Sequence, residues 1–386
     1  MSVLFRHAWV FRAEHRDFAV GDVLVSDGYI KAVSFEKNSD LSEGSCETVN
    51  AEGCYLIPGL VDVHTHGRAG GDFSTADADM MRLMSKSYLA SGVTTLLPTL
   101  ASAPLEALYE AAERVETVRL ETRDDPSYAF FAGLHLEGRY LNPAKRGAHA
   151  PHLLCPLNAE EASDIMKKCS GARHISAALE LPDGSEFLAR MQALGATVGL
   201  GHTAATYAEA MEAIEDGAVS LTHLFNAMPP LHHRDGGAVC AGLLSPQVYC
   251  ELICDGFHIA PEMVKLTYRM KGDHLTLITD SMEATDCRDG EYAIAGMPVI
   301  VKDGKARTID GAIAGSTLSL WEAVRNLCAF ADAPLGHAVY AATMAPAAQV
   351  GLSHEIGSVT EGKRADLLLV DGDLNIARIM HLGAFV

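Results

Sequence analysis

The sequence has no run rich in lysine and arginine. Its acidic residues outnumber the basic ones by 50 to 30, and the formal net charge is −20. Nucleic acid and anionic membrane surfaces attract clustered basic residues, so this balance argues against both as partners. A small anionic substrate stays open, because a local cationic pocket can function inside an acidic protein.

The sequence also lacks paired cysteines of the C-x-x-C type. Its nine cysteines are scattered and odd in number, which argues against a disulfide framework and a cysteine-ligated zinc site. Reduced thiols in a cytoplasmic protein are the favoured interpretation. The first residues, MSVLFRHAWVFR, carry Arg6, His7 and Arg12 among the apolar side chains. We therefore expect neither a signal peptide nor a membrane span there.

What the chain does contain is an alternation of apolar strands and helical stretches. Its 386 residues, 48% of them hydrophobic, suffice for one large domain and a smaller one. Strands are predicted at IPGLVDVHT, VTTLLPTL, YAFFAGLHLE, HISAALEL, ATVGLGHT, VSLTHLF, VYCELICD and HLTLITD. Helices are predicted at 77–91, 104–118, 157–169, 185–194, 206–216, 261–270, 317–331 and 335–350. Eight strands in this order predict an α/β fold, the (β/α)8 TIM barrel.

Both ends of the chain have a different character. They consist of short β-branched and aromatic segments, and Asp27-Gly28 and Asp371-Gly372 are typical of turns between strands. We predict a small β-sandwich domain built from residues 1–56 and 352–386, with the barrel at 57–351. A further β excursion is expected at 290–309.

Six side chains that can bind metal stand at the ends of the predicted strands. They are His64, His66, Glu137, His202, His223 and Asp280. The strands of a parallel barrel end on one side, and the active site lies there. The six side chains are therefore expected to meet in one place.

Taken singly, each of these residues has an ordinary explanation. A lone histidine at a strand end more often makes a hydrogen bond than binds a metal, and Asp280 could cap a helix. Together, two histidines and a glutamate form the set that catalytic zinc uses with one position open for water. Asp280 could then carry a proton. His64 and His66 lie on one face of a strand, and Glu137 would bridge if two ions were present.

The motifs resemble the amidohydrolase superfamily, and within it the N-acetylglucosamine-6-phosphate deacetylase family. The similarity extends over most of the chain, through PGLVDVHTHG, LHLEGRYLNPAKRGAH, GHTAAT, THLFNAMPPLHHR, DGFHI, TDSMEA, GSTLSL, APAAQVGL and GSVTEGKRADLLLVD. The resemblance implies a metal-dependent amide hydrolase that removes the acetyl group of N-acetylglucosamine 6-phosphate. It also implies a homodimer and one or two divalent ions per subunit, with Zn preferred and Fe, Mn or Co as alternatives.

The resemblance also assigns roles to individual residues. Metal ligands would be Glu137, His202, His223, His64 and His66, with Asp280 as the catalytic acid and base that also touches a second ion. His149 would polarise the acetyl carbonyl. The substrate would contact Gly138, Asn226, Ala227 and His258, and Arg234 would reach the phosphate in the neighbouring subunit. The family usually has proline where this chain has Arg139, which suggests a second cation near the mouth of the site.

Three other functions stay open at this point. The substrate could be N-acetylgalactosamine 6-phosphate or another amide, and a phosphoester hydrolase could use the same metals. A catalytically inactive barrel could instead serve as a scaffold. Inactive relatives typically lose ligands, whereas this chain keeps all six.

Overall fold

The structure is a computed structural model, and it describes residues 2–36, 39, 41, 46–294 and 296–386. The strands are β1 (Ser2–Arg12), β2 (Asp17–Ser26), β3 (Tyr29–Ser34), β4 (Cys46–Asn50), β5 (Tyr55–Pro58), β6 (Leu60–Thr65), β7 (Gly67–Arg68), β8 (Gly71–Asp72), β9 (Val93–Leu100), β10 (Phe130–Phe131), β11 (Gly133–Glu137), β12 (Ala172–Ala177), β13 (Thr197–Leu200), β14 (Ser220–Leu221), β15 (Tyr249–Ile253), β16 (Leu275–Ile278), β17 (Gly290–Ile294), β18 (Met297–Lys302), β19 (Lys305–Thr308), β20 (Leu367–Val370), β21 (Ile376–His381) and β22 (Ala384–Phe385). The helices are α1 (Ala78–Ala90), α2 (Leu105–Thr122), α3 (Ala159–Met166), α4 (Gly184–Ala193), α5 (Tyr207–Glu215), α6 (Gly237–Leu244), α7 (Pro261–Lys271), α8 (Leu320–Ala331), α9 (Leu335–Ala341) and α10 (Met344–Gln349).

Eight parallel strands form the predicted barrel, in the order β6, β9, β11, β12, β13, β14, β15 and β16. The backbone N–H of Asp280, just after β16, donates to the carbonyl of His64 in β6 at 2.9 Å. This bond joins the last strand to the first. Every residue of β6 and β9 is buried, as expected for strands covered on both faces. The barrel prediction is confirmed.

The helices lie close to the predicted ranges, with two differences. The predicted helix at 335–350 is divided into α9 and α10. Helix α6 was not predicted at all, because its sequence GAVCAGLL is apolar on every side and six of its eight residues are buried. A helix without a polar face has no amphipathic pattern to recognise. Within the described ranges no helix is long and apolar enough to cross a bilayer.

The two ends of the chain meet in one eight-stranded sheet. Its order is β22, β21, β20, β5, β1, β2 and β3, with β4 also paired to β1. The first half of β1 pairs with β4 and its second half with β5, on either side of a bulge between Phe5 and Ala8. Strand β20 pairs antiparallel with β5, so the C-terminal strands complete a sheet begun near residue 2. The proposed division after residues 56 and 351 stays a prediction.

The predicted β excursion is present as the antiparallel sheet β17–β18–β19. Ile294, Val299 and Val301 from this sheet pack with Met282 and Ala314 in a small apolar cluster of their own. Since Met282 follows β16 directly, this cluster fixes the excursion to the C-terminal side of the barrel, where the predicted site residues lie.

A buried ion-pair group stabilises the sheet formed by the chain ends. Asp366 lies 2.8 Å from Arg364 Nη2 and 2.8 Å from His381 Nδ1, and it accepts the backbone N–H of Leu382 at 2.9 Å. Burial alone would raise the pKa of Asp366, but Arg364 and His381 outweigh it and lower this pKa to about 2. The charged carboxylate therefore contributes to folding above pH 4.

Asp366→Asn is expected to lower the free energy of unfolding at pH 7 by about 2 kcal/mol, because the pKa depression represents that much linked stability. The difference in the free energy of unfolding between the variant and wild type is expected to shrink as the pH falls from about 4 towards 2, because the wild-type carboxylate becomes protonated over that range. Urea unfolding at several pH values measures both effects. Asp373→Asn, at an exposed position, is the matched control, and an equal loss there would contradict the prediction.

Candidate active site

Glu137, at the end of β11, lies at the centre of a buried cluster of imidazoles. Its Oε1 is 2.8 Å from His223 Nε2 and 3.3 Å from His202 Nε2. Its Oε2 is 2.8 Å from His66 Nε2 and 3.3 Å from His64 Nε2. The two carboxylate oxygens thus face two separate pairs of histidines. We call these the His202/His223 half-site and the His64/His66 half-site.

Asp280 faces the His64/His66 half-site from the end of β16. Its Oδ1 is 3.4 Å from His66 Nε2 and 3.7 Å from His64 Nε2. Its side chain is 12% exposed, against 3% for Glu137, so it is the carboxylate more open to the cavity. No helix begins between residues 279 and 289, which are all described. Asp280 is therefore not a helix cap.

The hydrogen bonds behind the histidines fix which nitrogen faces the cluster. His202 Nδ1 lies 2.8 Å from the carbonyl oxygen of Lys145, and His64 Nδ1 lies 3.2 Å from Glu251 Oε2. Both partners only accept, so each Nδ1 carries a hydrogen, and in the neutral form of each ring Nε2 presents a lone pair. Among the described residues, His64 Nε2 has no hydrogen-bond partner.

These donors fit a divalent metal ion. Imidazole nitrogens and carboxylate oxygens are ligand types that divalent ions use, and here they converge on one place. Two groups have ligand atoms within 4.8 Å of one another: His64, His66, Glu137 and Asp280; and Glu137, His149 and His202. His223, at 2.8 Å from Glu137, adds a further nitrogen to the second group.

The pKa values of the cluster residues reflect the same convergence. Burial would raise the pKa of Glu137, but the charge of His64 and bonds from His202 and His223 hold it well below its usual range. Burial would lower the pKa of His66, but bonds to Asp280 and Glu137 raise it to about 9. The imidazoles and the carboxylates of the cluster thus stabilise one another's charged forms.

Three of the cluster residues have a strained backbone. His202, His223 and Asp280 have φ values of 46°, 32° and 47°, in the left-handed region that side chains other than glycine rarely adopt. Such residues cost of order 1–3 kcal/mol each and concentrate at functional sites. Each follows the last residue of its strand by two positions, so the turn aims the side chain inward across the barrel mouth.

His149 approaches the cluster from the loop after β11, with its Nε2 3.9 Å from Glu137 Oε2. Behind it, Ser102 Oγ is 2.9 Å from His149 Nδ1, and the Ser102 N–H donates to the same nitrogen at 3.4 Å. The Ser102 hydroxyl also accepts the N–H of Arg139 at 2.9 Å. Nδ1 is thus an acceptor, and Nε2 carries the hydrogen towards the site. Burial, aided by the charge of His202, lowers the pKa of His149 to about 3.

A cavity of about 260 Å³ opens over the cluster, slightly below the range of roughly 300–1,000 Å³ that is usual for ligand pockets. Its lining combines the predicted chemical residues with an apolar wall: His66, Ala101, Glu137, Gly147, Ala148, His149, His202, His223, Asn226, Ala227, His258, Asp280, Ile294, Ile313, Ala314 and Gly315. His258 is held from behind by Asp255, whose Oδ2 lies 2.6 Å from His258 Nδ1.

Other predicted residues lie outside this lining. Arg234 is exposed and its Nη1 is 2.9 Å from His233 Nε2. Gly138 has a φ of 152°, and a Cβ there would lie 2.5 Å from the Ser102 nitrogen, so its place is set by a close backbone approach. Arg139 does not add a cation at the mouth, because its guanidinium donates to Glu161 at 2.9 Å and to the Ala103 carbonyl at 3.0 Å.

The sequence reasoning missed several residues of the site. Ile294 and Ile313, which form part of the apolar wall, come from the β excursion and the segment after it. Glu251 and Ser102 lie behind the histidines. A signal for Glu251 was present, since a charged residue in the middle of the apolar run VYCELICD is costly unless it has buried partners.

Comparison with known proteins agrees with this geometry. The model of the amidohydrolase family matches residues 55–385. The N-acetylglucosamine-6-phosphate deacetylase of Vibrio furnissii is 34% identical over 332 residues, 86% of this chain and 82% of that one. The N-acetylgalactosamine-6-phosphate deacetylase of Escherichia coli O157:H7 is 33% identical, over 85% of this chain and 86% of that one.

A solved structure shows the same likeness over the whole fold. The crystal structure of N-acetylglucosamine-6-phosphate deacetylase from Thermotoga maritima superposes with a TM-score of 0.89 at 33% identity, and 99% of each chain is covered. The chain therefore belongs to the amidohydrolase family and, within it, to the N-acetylhexosamine-6-phosphate deacetylases.

Proposed function

We propose that this protein hydrolyses the acetamide of N-acetylglucosamine 6-phosphate to glucosamine 6-phosphate and acetate. One observation carries the proposal: a single cavity is lined by Glu137, His149 and Asp280, which supply a metal ligand, a hydrogen-bond donor and a proton acceptor. The relatives named above act on N-acetylated hexosamine phosphates, which supports this substrate class.

Glu137, His202 and His223 would hold one divalent cation, and His64 and His66, with Asp280, would hold a second. Such a cation supplies Lewis acidity and lowers the pKa of a water. Zn suits these ligands best, and Fe, Mn or Co can replace it. Glu137 would contribute to holding either cation, because its two oxygens face different pairs of histidines.

Asp280 moves the protons of the reaction. It accepts a proton from the water as the water oxygen bonds to the acetyl carbon, and it returns that proton to the nitrogen as the C–N bond breaks. The products are the amine and acetic acid, which ionises to acetate at neutral pH as the amine or the solvent takes up its proton. The partial exposure of Asp280 into the cavity gives both groups access to its carboxylate.

His149 stabilises the charge that develops on the acetyl oxygen. Its Nε2–H points into the site because Nδ1 accepts hydrogen bonds from Ser102. A donor placed in advance at a developing oxyanion is among the strongest contributions to such reactions. The fixed tautomer makes this donor available without rearrangement.

The other end of the cavity would bind the sugar phosphate. His258, Asn226 and Ala227 belong to the lining of the same cavity, and we propose that they hold the phosphate, with Gly138 contacting the substrate near the acetamide. Binding the phosphate at a fixed distance places the amide at the metal cluster. Nine unpaired cysteines in the structure support a reducing compartment, and we propose the cytoplasm.

The decisive assay measures acetate release from N-acetylglucosamine 6-phosphate and from its galactosamine isomer, side by side. We expect a higher kcat/KM for the glucosamine compound. A higher value for the isomer would support the alternative substrate, and release of phosphate instead of acetate would reject the proposal. Elemental analysis of the same preparation gives metal identity and the number of ions per chain.

The exposed position of Arg234 supports a role in a homodimer, where it would reach the phosphate of the neighbouring site. Arg234→Ala is expected to raise KM for the phosphorylated sugar about 10- to 100-fold with little change in kcat, because one charge-assisted bond is lost. Steady-state kinetics measures this, and Arg325→Ala, at another exposed arginine, is the control. An unchanged KM would reject the assignment.

A mixture of two variants, one with weakened substrate binding and one with little turnover, tests the dimer directly. Arg234→Ala and Asp280→Asn chains, unfolded and refolded together, would form some mixed dimers. One site of each mixed dimer would then combine an intact Asp280 with an intact Arg234 from the partner. We expect the mixture to regain efficient turnover at low substrate concentration, whereas a residue that acts within its own chain would give no recovery.

A further inference from the structure

Glu251 is a buried carboxylate that the proposed reaction does not use. It lies in the middle of β15 with a fully buried side chain. Its Oε2 is 3.2 Å from His64 Nδ1 and 3.3 Å from the backbone nitrogen of His223. Its Oε1 accepts a hydrogen bond from Gln349 Nε2 at 2.6 Å and lies 3.5 Å from His174 Nε2.

These contacts connect Glu251 to both half-sites. A carboxylate accepts, so His64 Nδ1 donates to it and His64 Nε2 is left with its lone pair facing Glu137 and Asp280. The same oxygen accepts the N–H of His223, whose φ of 32° is strained. The main chain contributes as well, because the Glu251 carbonyl accepts the N–H of Leu224 at 2.8 Å.

A role in core packing alone does not explain this arrangement. The neighbours of Glu251 along its strand, Cys250 and Leu252, are apolar and buried, and an apolar side chain would fill the same space without the loss of hydration that a carboxylate suffers. Three of the groups around the carboxylate belong to His64, His223 and Gln349. Two of these are residues of the proposed metal centre.

We infer that Glu251 is a positioning residue for the metal centre, and that it sets the affinity of the His64/His66 half-site for its cation by holding His64 in the ligating tautomer and orientation. This inference rests on the proposed metal-dependent function. A carboxylate behind a metal-binding histidine commonly changes metal affinity 10- to 100-fold when it is removed.

The test measures Zn²⁺ binding by the whole chain against a competing chelator, without substrate. Glu251→Met removes both acceptors and is expected to weaken the second equivalent of Zn²⁺ about 10- to 100-fold, with the first equivalent much less affected. The Zn²⁺ affinity of Glu251→Gln is expected to lie between those of wild type and Glu251→Met, because the amide carbonyl can still accept a hydrogen bond from His64. Gln349 can rotate its amide to match, since among the described residues its Oε1 has no partner.

Two further variants separate positioning from stability. His64→Asn is expected to weaken binding of the same equivalent of Zn²⁺. Adding Glu251→Met to His64→Asn is expected to cause little further loss of Zn²⁺ affinity. Asp366→Asn is the matched control, a buried carboxylate directly before β20 and away from the barrel site, and is expected to lower the melting temperature without changing Zn²⁺ affinity. The absorption spectrum of the Co²⁺-loaded chain gives an independent readout, expected to change with Glu251→Met and not with Asp366→Asn.

Several results would overturn the inference. Glu251→Met and Glu251→Gln could both bind two equivalents of Zn²⁺ with wild-type affinity, or they could lose affinity equally at both half-sites. The losses of affinity in the double variant could be additive. Finally, the wild-type chain could bind no second equivalent, or His64→Asn could leave the affinity for it unchanged. If the Met variant does not fold, the Gln variant carries the test. Failure of the proposed substrate would appear separately, as normal Zn²⁺ binding without acetate release.

Discussion

Asp280→Asn is expected to lower kcat for deacetylation by roughly 10²- to 10⁴-fold, the usual contribution of a general acid and base, while KM changes little. The amide keeps the shape of the carboxylate but cannot take a proton from water at neutral pH. Asp280 is the more exposed carboxylate of the cluster, whereas Glu137, which also lines the cavity, is surrounded by four imidazoles. Initial rates over a range of substrate concentrations separate kcat from KM.

A matched control is available in the loop that follows. Asp286 is six residues further on, and its carboxylate bonds to Arg68 and Ser87 and not to the cluster. Asp286→Asn is therefore expected to keep most of the turnover. Near wild-type kcat in Asp280→Asn, or an equal loss in the control, would show that Asp280 does not carry the proton.

Glu137→Gln is expected to remove metal from both half-sites and to lower activity at least about 10³-fold, because Lewis acidity is worth several kcal/mol and each 1.36 kcal/mol is tenfold in rate. One oxygen of Glu137 faces His202 and His223, and the other faces His64 and His66. Elemental analysis after dialysis is expected to find less than one ion per chain.

Glu161→Gln is the control for Glu137→Gln, because it also replaces a carboxylate of the barrel by an amide. Glu161 bonds to Arg139 and Tyr140 outside the cavity, so this variant is expected to keep its metal. His64→Asn is expected to give an intermediate result, with the His202/His223 half-site still loaded. A Glu137→Gln chain with its full metal content would remove Glu137 from the centre of the site.

The sequence was sufficient for the residues whose position depends on the barrel itself. His64, Glu137 and His202 follow buried apolar segments, and parallel strands bring such ends to one side whatever the loops do. The meeting of these side chains at one end of the barrel therefore follows from the order and direction of the strands. The turn at Asp27-Gly28 and the cap of α5 at Thr206, with its reciprocal bonds to Glu209, were equally predictable, because each depends on a few neighbouring residues.

The parts that sequence could not supply depend on long-range packing. The orientation of the Arg139 side chain is set by its hydrogen bonds to Glu161 and to the Ala103 carbonyl, which hold the guanidinium away from the mouth of the site. The wall from Ile294 and Ile313 exists only because the excursion packs back over the barrel. Helix α6 is apolar all round, and no local period distinguishes such a segment from a strand.

The pairing of β5 with β20 has a consequence for how the protein is made. The two strands are separated by about 300 residues, and a ribosome adds roughly 5–20 residues each second. The edge of β5 therefore stays without its partner for about 15–60 s after it is synthesised, a period in which all eight barrel strands emerge. During that time an open strand edge can pair with another nascent chain. We expect chaperone dependence to be greatest in this interval, and to fall once β20 has left the ribosome.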